Sequence, residues 1–262
     1  VIYKGCDITM KLNRTLLRAI DILELLSKSK EGYTLAQLSS MLDSPKSSIF
    51  DIMKTLVYKN MVIEDNQSGI TKYKIGLQSF LIGSSYLNDT DIVNIAKNDL
   101  IDLANRMQAT TFMSILDDDM VTYLYKYESE KTIITTANIG SRRSIHSSAL
   151  GKVMVAFGTD EDLKRAIQRT DFVAYTEYTI TSVEKYLDQL KEVRIKGYAK
   201  SDREDTLQQV AAAAPIRNHD GKVIAAISCV GFYESQIDLD DLGLVVKDVA
   251  DKISVKLGYT LG

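Results

Sequence analysis

The sequence predicts an α+β protein in which an N-terminal winged helix-turn-helix domain precedes a larger domain with an antiparallel sheet. Three observations support this prediction. Apolar residues recur at helical spacing on both sides of Pro45, and strand-like segments flank residues 66–69. In the second half, helical segments surround strands that hairpin turns connect, as is typical of an antiparallel sheet covered by helices. With 262 residues the chain is long for one domain, so two are expected.

Residues 34–60 contain two helical segments that a tight turn separates. The first segment has one apolar face, formed by Leu35, Leu38 and Leu42. Ser44 is expected to cap the second helix through its hydroxyl, and Pro45 suits the first helical position because its missing N–H costs nothing there. The second helix then has an inward apolar side formed by Ile49, Ile52, Met53 and Leu56.

The second helix of this pair has a polar leading end. A short helix, a turn and a second helix that begins with exposed polar residues are typical of a helix-turn-helix DNA reader. The alternative is an ordinary helical bundle in which the Ser-Pro pair only makes a turn, because sequence patterns easily mimic this motif. The side chains expected on the outer face are Lys46, Ser47, Phe50, Asp51 and Lys54.

The flanking segments complete a winged domain. An amphipathic helix precedes the pair, with Arg14 and Arg18 toward its outer edge. Downstream, the strand-like residues 61–63 and 70–75 flank a turn of about four residues, which predicts a β-hairpin. The residues expected on the inward side of the first helix are Leu12, Leu16, Ala19, Ile20, Leu23 and Leu26.

The larger second half combines helices and strands, and a short helix at 76–87 is expected to join it to the first domain. Residues 117–119 are three aspartates between two strands, and an exposed turn is expected because the further oxygen ligands of a calcium loop are absent. The Asp-Gly pair at 220–221 indicates a second hairpin. Helices are predicted at 89–107, 148–157, 160–169, 183–196 and 239–257, and strands at 111–116, 121–127, 131–138, 210–217 and 222–231, with a further strand that opens at Gly197.

Charge is distributed unevenly along the chain. Residues 1–76 contain eleven Lys or Arg and eight Asp or Glu, whereas the whole chain has a formal net charge of −3. The N-terminal domain is therefore cationic and the remainder anionic, as expected when only the N-terminal domain contacts the phosphates of DNA. Because an excess of three positive charges is modest, useful DNA affinity requires two copies of this domain.

Membrane and secreted classes lack support in the sequence. No apolar run approaches the ~18 residues of a membrane span, and the mixed N-terminus does not have the pattern of a signal peptide. Cys6 and Cys229 are far apart, so neither a disulfide framework nor a metal site is expected. A reducing, cytoplasmic location is the simplest interpretation.

The sequence also lacks catalytic patterns. Its two histidines are His146, which precedes a pair of serines, and His219, which falls in a predicted hairpin tip. There is no G-x-S-x-G elbow, phosphate loop, dinucleotide fingerprint or zinc motif. A structural hydrogen-bonding role is expected for His146, and the adjacent Arg142 and Arg143 are expected to be solvated.

The sequence resembles the IclR family of bacterial transcriptional regulators over nearly its whole length. In the N-terminal part the resemblance rests on LNRTLLRAIDILELL, TLAQLSSMLDSPKSSIFDIMKTL and KYKIGLQSFLIGSSYL. In the second half it rests on IGSRRSIHSSALGKVMVAF, GYAKSDREDTLQQVAAAAPIRNHDGKVIAAISCVG and the closing helix. It implies a winged helix-turn-helix domain at 11–76, a linker helix at 77–88 and a GAF-like effector-binding domain at 89–262.

The resemblance also implies a function. Members of this family bind double-stranded operator DNA as homodimers or dimers of dimers, and a small-molecule effector in the C-terminal domain changes their DNA affinity. A cytoplasmic, ligand-controlled repressor is therefore expected, without enzymatic activity, metal, cofactor or membrane partner. The alternatives are a metabolite-converting enzyme with a vestigial winged helix and a protein–protein adaptor.

Carried over by position, the resemblance assigns the DNA contacts to the second helix of the pair and to the wing. Lys46 and Ser47, near the positive end of that helix, are the expected phosphate contacts. Many relatives have arginine at the position of Asp51, which here is expected to accept from cytosine N4 or, more simply, to form a salt bridge with Lys46 or Lys54. The full set is Lys46, Ser47, Ser48, Phe50, Asp51 and Lys54 in the helix and Lys72 in the wing.

The effector cavity of the family maps onto four segments of the second half. Relatives often have an acidic run at 201–204, a cysteine at Ala211 and a second polar residue at Val230, so a less acidic and more apolar cavity is expected. Arg203 or Arg142 is placed to pair with a carboxylate or phosphate, and the expected effector is an organic or sugar acid. The alternative is that these positions are tightly packed core. The assigned residues are Ala149, Leu150, Ser201, Asp202, Arg203, Ala211, Ser228 and Val230.

Overall fold

The computed structural model describes residues 12–66, 69–88, 92–130, 137–235 and 237–260. The chain divides into two compact units, residues 1–89 and residues 90–262. No helix within the described ranges is long and apolar enough to cross a lipid bilayer.

In its described residues, the first unit contains three helices, a two-stranded hairpin and a fourth helix. The elements are α1 Arg14–Ser27, α2 Leu35–Met41, α3 Lys46–Tyr58, β1 Val62–Asp65, β2 Lys72–Ile75 and α4 Leu77–Asn88. The four residues predicted on the inward side of α3 are all buried. The hairpin strands are antiparallel, and Tyr33 bridges to Tyr73, so the hairpin is attached to the segment before α2. These elements form the predicted winged helix-turn-helix.

The buried side of α1 differs from the prediction. Three apolar residues predicted to face inward, Leu12, Leu16 and Ile20, are 60%, 60% and 46% exposed. Ile22, which the prediction omitted, is fully buried. Helical periodicity located the helix, but apolar residues lie on more than one side of α1. The spacing alone therefore does not show which of these sides faces the core. The predicted inward residues that pack in or against the core are Ala19, Leu23 and Leu26.

The helix predicted at 76–87 is present as α4, and its first turn is held by the residues that follow α3. The Gly76 N–H donates to the Met61 carbonyl at 2.8 Å, and the Gln78 N–H donates to the Asn60 carbonyl at 3.1 Å. The Ser79 hydroxyl also donates to the Met61 carbonyl, at 2.8 Å. The start of α4 is therefore fixed to the segment that connects α3 with β1.

The second unit is an antiparallel sheet with helices on both faces. Its described strands have the order β5-β4-β3-β8-β7-β6, and every neighbouring pair is antiparallel. The predicted α+β class is thus confirmed. The elements are α5 Ile92–Met107, β3 Thr110–Asp117, β4 Met120–Glu128, β5 Arg142–Ser144, α6 Ala149–Ala156, α7 Asp160–Arg169, α8 Val183–Lys196, β6 Ala199–Asp202, β7 Gln209–Arg217, β8 Val223–Phe232, a 3-10 turn Tyr233–Ser235 and α9 Leu239–Lys256.

Alternation along β3 shows which helices cover which face of this sheet. The Thr111 hydroxyl donates to the Leu100 carbonyl of α5 at 3.0 Å. The next residue, Phe112, belongs instead to a core that contains residues of α6 and α8. Because successive side chains of a strand point to opposite faces, α5 and α6 lie on opposite sides of the sheet. α9 packs against α5, so these two helices share a face.

The turns predicted in this unit are confirmed, whereas one strand was missed. Asp118, in the aspartate turn between β3 and β4, has a φ of 57°, and Gly221, in the β7–β8 turn, has a φ of 76°. Strand β5 was missed because three residues are too few for an alternating pattern. The strand predicted at 131–138 falls largely on residues 131–136, which lie outside the described residues, and residues 137 and 138 are not in a strand.

We expect Gly76→Ala to destabilise the first unit, because a Cβ at this position would collide with the Asn60 carbonyl oxygen. Overpacking of this kind costs about 1–3 kcal/mol. The matched control is Gly83→Ala in the same unit, where a Cβ would meet nothing within 4 Å. This control is expected to be neutral or stabilising by up to about 1 kcal/mol, since alanine is the better helix former. Thermal unfolding followed by circular dichroism measures both, and equal Tm values for the two variants would contradict the close contact.

Candidate functional site

A Schellman motif ends α2 and sets the direction in which α3 begins. The Ser44 N–H donates to the Ser39 carbonyl at 3.1 Å, and the Asp43 N–H donates to the Ser40 carbonyl at 3.4 Å. Asp43 has a φ of 44°, in the left-handed region that glycine usually occupies in this motif. The turn is therefore closed by backbone hydrogen bonds, with aspartate in the position that favours glycine.

The predicted capping of α3 by Ser44 is wrong. The Ser44 hydroxyl is buried and donates to the Leu42 carbonyl at 3.0 Å, inside the turn. Pro45 is the N-cap residue rather than the first helical residue, and α3 has no side-chain cap. Because the first N–H groups of a helix have no intrahelical acceptor, the start of α3 presents uncapped donors beside the positive end of the helix.

The outer face of α3 is exposed as predicted. Lys46, Ser47, Asp51 and Lys54 are exposed, and Phe50 is 40% exposed. The Lys54 ammonium lies 4.4 Å from the centre of the Phe50 ring, so the aromatic side chain and the cation share one patch. This face therefore combines positive charge, hydroxyl groups and one aromatic ring.

Two further residues of the predicted set are only half-buried and have local roles. Ser48 accepts a hydrogen bond from Arg18 Nη1 at 3.3 Å, which joins α1 to α3 and brings a guanidinium group to this surface. Lys72 begins β2 and pairs in register with Asp65 of β1.

The salt bridge expected for Asp51 is not formed. Within the part of the chain that the structure describes, Asp51 makes no ion pair with Lys46 or Lys54. Lys54 lies over Phe50 instead. The Asp51 carboxylate is therefore an exposed acceptor on the outer face of α3, because its lysine neighbour has an aromatic partner.

The second unit contains a cavity of about 430 Å³, a volume that includes space open to solvent. Strands β6, β7 and β8 form one wall, where Ser201 pairs with Ala211 and Ala211 pairs with Val230. The N-terminal end of α6 forms the opposite wall. The lining residues are Tyr123, Arg143, Ser148, Ala149, Leu150, Ser201, Asp205, Gln209, Val210, Ala211, Ser228 and Val230.

The structure brings six of the eight predicted effector residues to this cavity. They are Ala149, Leu150, Ser201, Ala211, Ser228 and Val230. Asp202 and Arg203 do not line it. Asp202 is exposed and accepts two hydrogen bonds from Arg203, at 2.8 and 3.2 Å. The Arg203 guanidinium lies between the rings of Tyr178 and Tyr233, 3.9 Å from each centre, and its backbone has a φ of 58°. Asp202 is the last residue of β6, and alternation turns it away from the side of Ser201, whereas Arg203 follows the end of the strand, where alternation no longer indicates a direction.

The start of α6 presents hydrogen-bond donors to the cavity. Ser148 is the N-cap residue, and its hydroxyl oxygen accepts from the Gly151 N–H at 3.1 Å. The N–H groups of Ala149 and Leu150 have no acceptor within the helix, because they precede its first complete turn. Together with the positive end of the helix, these groups favour an anion at this wall.

An unpaired hydroxyl faces the same space. Ser228 lines the cavity and is 2% exposed, and its Oγ has no hydrogen-bond partner among the described residues. Buried polar groups in folded proteins are almost always paired. Ser201, also in the lining, instead donates to the Ser147 carbonyl at 2.9 Å. Ser228 is thus a polar group that a bound molecule would satisfy.

A charged pair in the lining was missed by the sequence prediction. Arg143 and Asp205 are half-buried, and Nε lies 3.4 Å from Oδ2. Tyr123 adjoins this pair, and burial raises the pKa of its hydroxyl to about 12 while the Arg143 guanidinium opposes that rise. The prediction that both arginines are solvated is wrong, since Arg142 also forms an ion pair, with Asp117 at 3.2 Å. Arg142 does not line the cavity.

The residue before Asp205 forms a buried ion pair behind the cavity wall. The Lys152 ammonium is fully buried and donates to both carboxylate oxygens of Glu204, at 2.6 and 2.7 Å, and to the Lys200 carbonyl at 3.0 Å. Burial lowers the pKa of Lys152 and raises the pKa of Glu204, and the attraction between the two charges opposes both shifts. The pair joins α6 to the connection between β6 and β7.

His146 has the structural hydrogen bonds that the sequence prediction expected. Its Nε2–H donates to the Val173 carbonyl at 3.0 Å, and its Nδ1 lies 2.6 Å from the Ser144 hydroxyl oxygen. Burial lowers the pKa of His146, which favours this neutral form, and the Val173 carbonyl opposes the shift. His219 is exposed at the hairpin tip. Neither histidine lines the cavity.

A winged helix-turn-helix whose second helix of the pair, α3, is exposed and basic, together with a separate cleft lined by polar and apolar side chains in the second unit, defines the class of DNA-binding transcriptional regulators. Comparison with known families agrees. The family model described as bacterial transcriptional regulator IclR C-terminal matches residues 84–255, and the IclR helix-turn-helix domain matches residues 15–65. The chain belongs to the IclR family of bacterial transcriptional regulators, and it is a regulator and not an enzyme.

Known relatives match over most of their length. The chain is 28% identical to the HTH-type transcriptional regulator KdgR of Escherichia coli (strain K12) over 250 residues, which cover 94% of this chain and 93% of that protein. It is 29% identical to the HTH-type transcriptional repressor AllR of Salmonella typhimurium over 244 residues, covering 92% and 89%. The crystal structure of Thermotoga maritima IclR superposes with a TM-score of 0.76 at 26% identity, covering 94% of this chain and 99% of that chain.

We expect Lys152→Met to destabilise the second unit by about 3–5 kcal/mol near neutral pH, because it leaves the Glu204 carboxylate buried without its cation. Burial raises the pKa of Glu204 above the value it has in the unfolded chain, so the unfolded state releases this proton first as pH rises. The stability of the variant therefore falls as pH increases above the ordinary pKa of glutamate, and its deficit relative to wild type is smaller at pH 5 than at pH 7.5.

Urea unfolding at the two pH values measures this deficit. The control is Lys191→Met, which removes an exposed lysine that pairs with Asp188 at 2.7 Å and is expected to change stability by less than about 0.5 kcal/mol. A Lys152→Met deficit that is the same at both pH values would show that the unpaired charge of Glu204 is not its cause.

Proposed function

We propose that this regulator is a repressor that binds a near-palindromic operator as a homodimer or a dimer of dimers, and that an organic or sugar acid controls its DNA affinity. The observation that carries this proposal is the uncapped, basic N-terminus of α3 on an exposed helix face. Contact with operator DNA requires the protein to share a compartment with the chromosome, so a cytoplasmic location is part of the proposal. The name of AllR supports the choice of repression.

In this proposal α3 enters the major groove with its N-terminal end leading. The first N–H groups of α3, which no side chain caps, and the side chains of Lys46 and Ser47 contact phosphates. Asp51 is an exposed acceptor without an ion pair among the described side chains, so it is suited to accept from a cytosine N4 amine. The remaining proposed contacts are Ser48, Phe50 and Lys54 in α3 and Lys72 in the wing.

The operator requires two such helices about 34 Å apart, which a dimer supplies. Support for a dimer comes from the exposed apolar side of α1, where Leu16 and Ile20 are 60% and 46% exposed and one turn apart. Leu17 beside them is 41% exposed. Contiguous exposed apolar surface of this kind favours association, and we propose a second copy of the chain as its partner.

The proposed effector is a carboxylic acid whose carboxylate lies at the start of α6. The free N–H groups of Ala149 and Leu150 and the unpaired Ser228 hydroxyl supply three donors for it. Ser201, Ala211 and Val230 shape the remaining wall. Asp202 and Arg203 are not among the proposed contacts, because Asp202 pairs with Arg203, whose guanidinium lies between two tyrosine rings, and neither residue lines the cavity. The effector controls DNA affinity if it binds one arrangement of the dimer better than the other, since equal binding shifts nothing.

We expect Lys46→Ala and Lys54→Ala each to weaken operator binding and to flatten its dependence on salt. Each lost phosphate contact reduces the slope of log K against log salt by about one unit. Electrophoretic mobility shift at several salt concentrations, on the DNA upstream of the neighbouring genes, measures this slope. The control is Lys252→Ala in α9, an exposed lysine paired with Asp248 at 2.6 Å, which is expected to leave the slope unchanged. An unchanged slope in both α3 variants would reject these phosphate contacts.

We expect Ile20→Glu to dissociate the dimer, because it places a charge in the apolar side of α1. Operator affinity then falls by about a hundredfold or more, since the two recognition helices no longer bind as one molecule. Sedimentation velocity and mobility shift measure the two effects. The matched control is Ile195→Glu, at an isoleucine of the second unit that is 86% exposed. A dimer that survives Ile20→Glu at micromolar concentration would place the interface elsewhere.

A further inference from the structure

We propose that the Arg143–Asp205 pair restricts the effector to singly charged hydroxy acids and makes Asp205 the residue that rejects dianions. This inference rests on the proposed function, because it assumes that an acid binds in the cavity. It specifies the proposed effector further, as an acid with hydroxyl groups on its chain and one carboxylate.

The cavity has an anion-binding wall and a separate charged pair. The start of α6 and the Ser228 hydroxyl offer hydrogen-bond donors, and Asp205 is the one acidic residue in the lining as the structure describes it, so one negative group is favoured at these donors. Arg143, Asp205 and Tyr123 are also in the lining, and they come from other elements, β5, the β6–β7 connection and β4. A ligand held at α6 by its carboxylate therefore has the rest of its chain available to meet this second group.

The geometry of the pair suits hydroxyl groups. The two side chains approach with Nε 3.4 Å from Oδ2, and this distance is long for a charge-assisted hydrogen bond. Arg143 also donates to the Arg142 carbonyl at 3.5 Å and hydrogen-bonds the Tyr123 hydroxyl, and a guanidinium has five N–H donors in all, so donor capacity remains near the Asp205 carboxylate in a half-buried position. A hydroxyl both donates and accepts, so it can bridge such a donor and acceptor where a carboxylate or a methyl group cannot.

The same pair discriminates against two other kinds of acid. An apolar chain would cover Arg143 and Asp205 without replacing the hydrogen bonds that they make to water, which is unfavourable. A second carboxylate would approach Asp205, and the like charges would repel. The charge of Arg143 is already balanced by Asp205, so no excess positive charge is available there for a dianion. Glu204, the acidic residue before Asp205 in the sequence, does not line the cavity and is paired with Lys152.

Calorimetric titration of the full-length protein with acids of equal chain length tests this inference. The six-carbon set is gluconate, hexanoate and glucarate, and the three-carbon set is glycerate, propanoate and malonate. In at least one set, the hydroxy monoacid is expected to bind wild type at least about tenfold more tightly than the apolar acid and the dianion. Asp205→Asn is expected to tighten binding of the dianion by about tenfold or more. Asp202→Asn, which changes an exposed carboxylate outside the cavity, is the matched control and should leave the ranking unchanged.

The outcomes separate this inference from the proposed function. If acids bind the wild-type protein but in neither set does the hydroxy acid bind more tightly than both the apolar acid and the dianion, the role of the pair is overturned while the acid-binding function stands. If no acid of either set binds, the proposed effector class fails and the inference falls with it. The wild-type ranking decides between these results even if Asp205→Asn does not fold. A dianion that binds no better to a folded Asp205→Asn variant would overturn the assignment to Asp205.

Discussion

The cavity of the second unit depends on the buried ion pair between Lys152 and Glu204. Lys152 belongs to α6, whose first residues line the cavity, and Glu204 precedes Asp205, which also lines it. The ammonium has three hydrogen bonds, two to Glu204 and one to the Lys200 carbonyl. A buried charge without its partner is strongly unfavourable, so the pair allows little variation in the distance between α6 and the β6–β7 connection. It therefore sets the width of the site.

Neighbouring residues of that connection are held in different directions. Arg203 points outward between two tyrosine rings with a φ of 58°, Glu204 points inward to Lys152, and Asp205 contacts Arg143. Left-handed backbone at a non-glycine residue is unfavourable by itself, so the aromatic contacts and the Asp202 hydrogen bonds of Arg203 help to maintain it. Asp205 has the weakest of these contacts. A ligand that replaces the Arg143 contact would thus change the most adaptable residue of the connection while its neighbours remain anchored.

Sequence reasoning located the elements better than it located the polar contacts within them. The buried side of α3 followed from helical spacing, and the β7–β8 register brought Ala211 and Val230 together as the resemblance implied. Asp205 and Arg143 escaped prediction because one follows the end of β6 and the other lies in a three-residue strand, where no alternation indicates which way a side chain points. The hydroxyl of Ser44 was misassigned for a related reason, since a serine in a turn has several carbonyls and N–H groups within reach.

The first unit has a small excess of positive charge and an uncovered apolar side on α1, and a single copy of the chain can neither bind DNA strongly nor cover that side. Its charge excess is small, so phosphate contacts from one α3 give weak binding that salt easily removes. Its first helix exposes leucine and isoleucine side chains that the core of the unit, filled by residues such as Ile22 and Leu38, does not cover. A second copy compensates for both, because association covers the apolar side and doubles the number of phosphate contacts per molecule. Helical spacing alone did not identify the buried side of α1, because this helix has two apolar sides. One packs against the domain core, and the other is the proposed contact with the second chain.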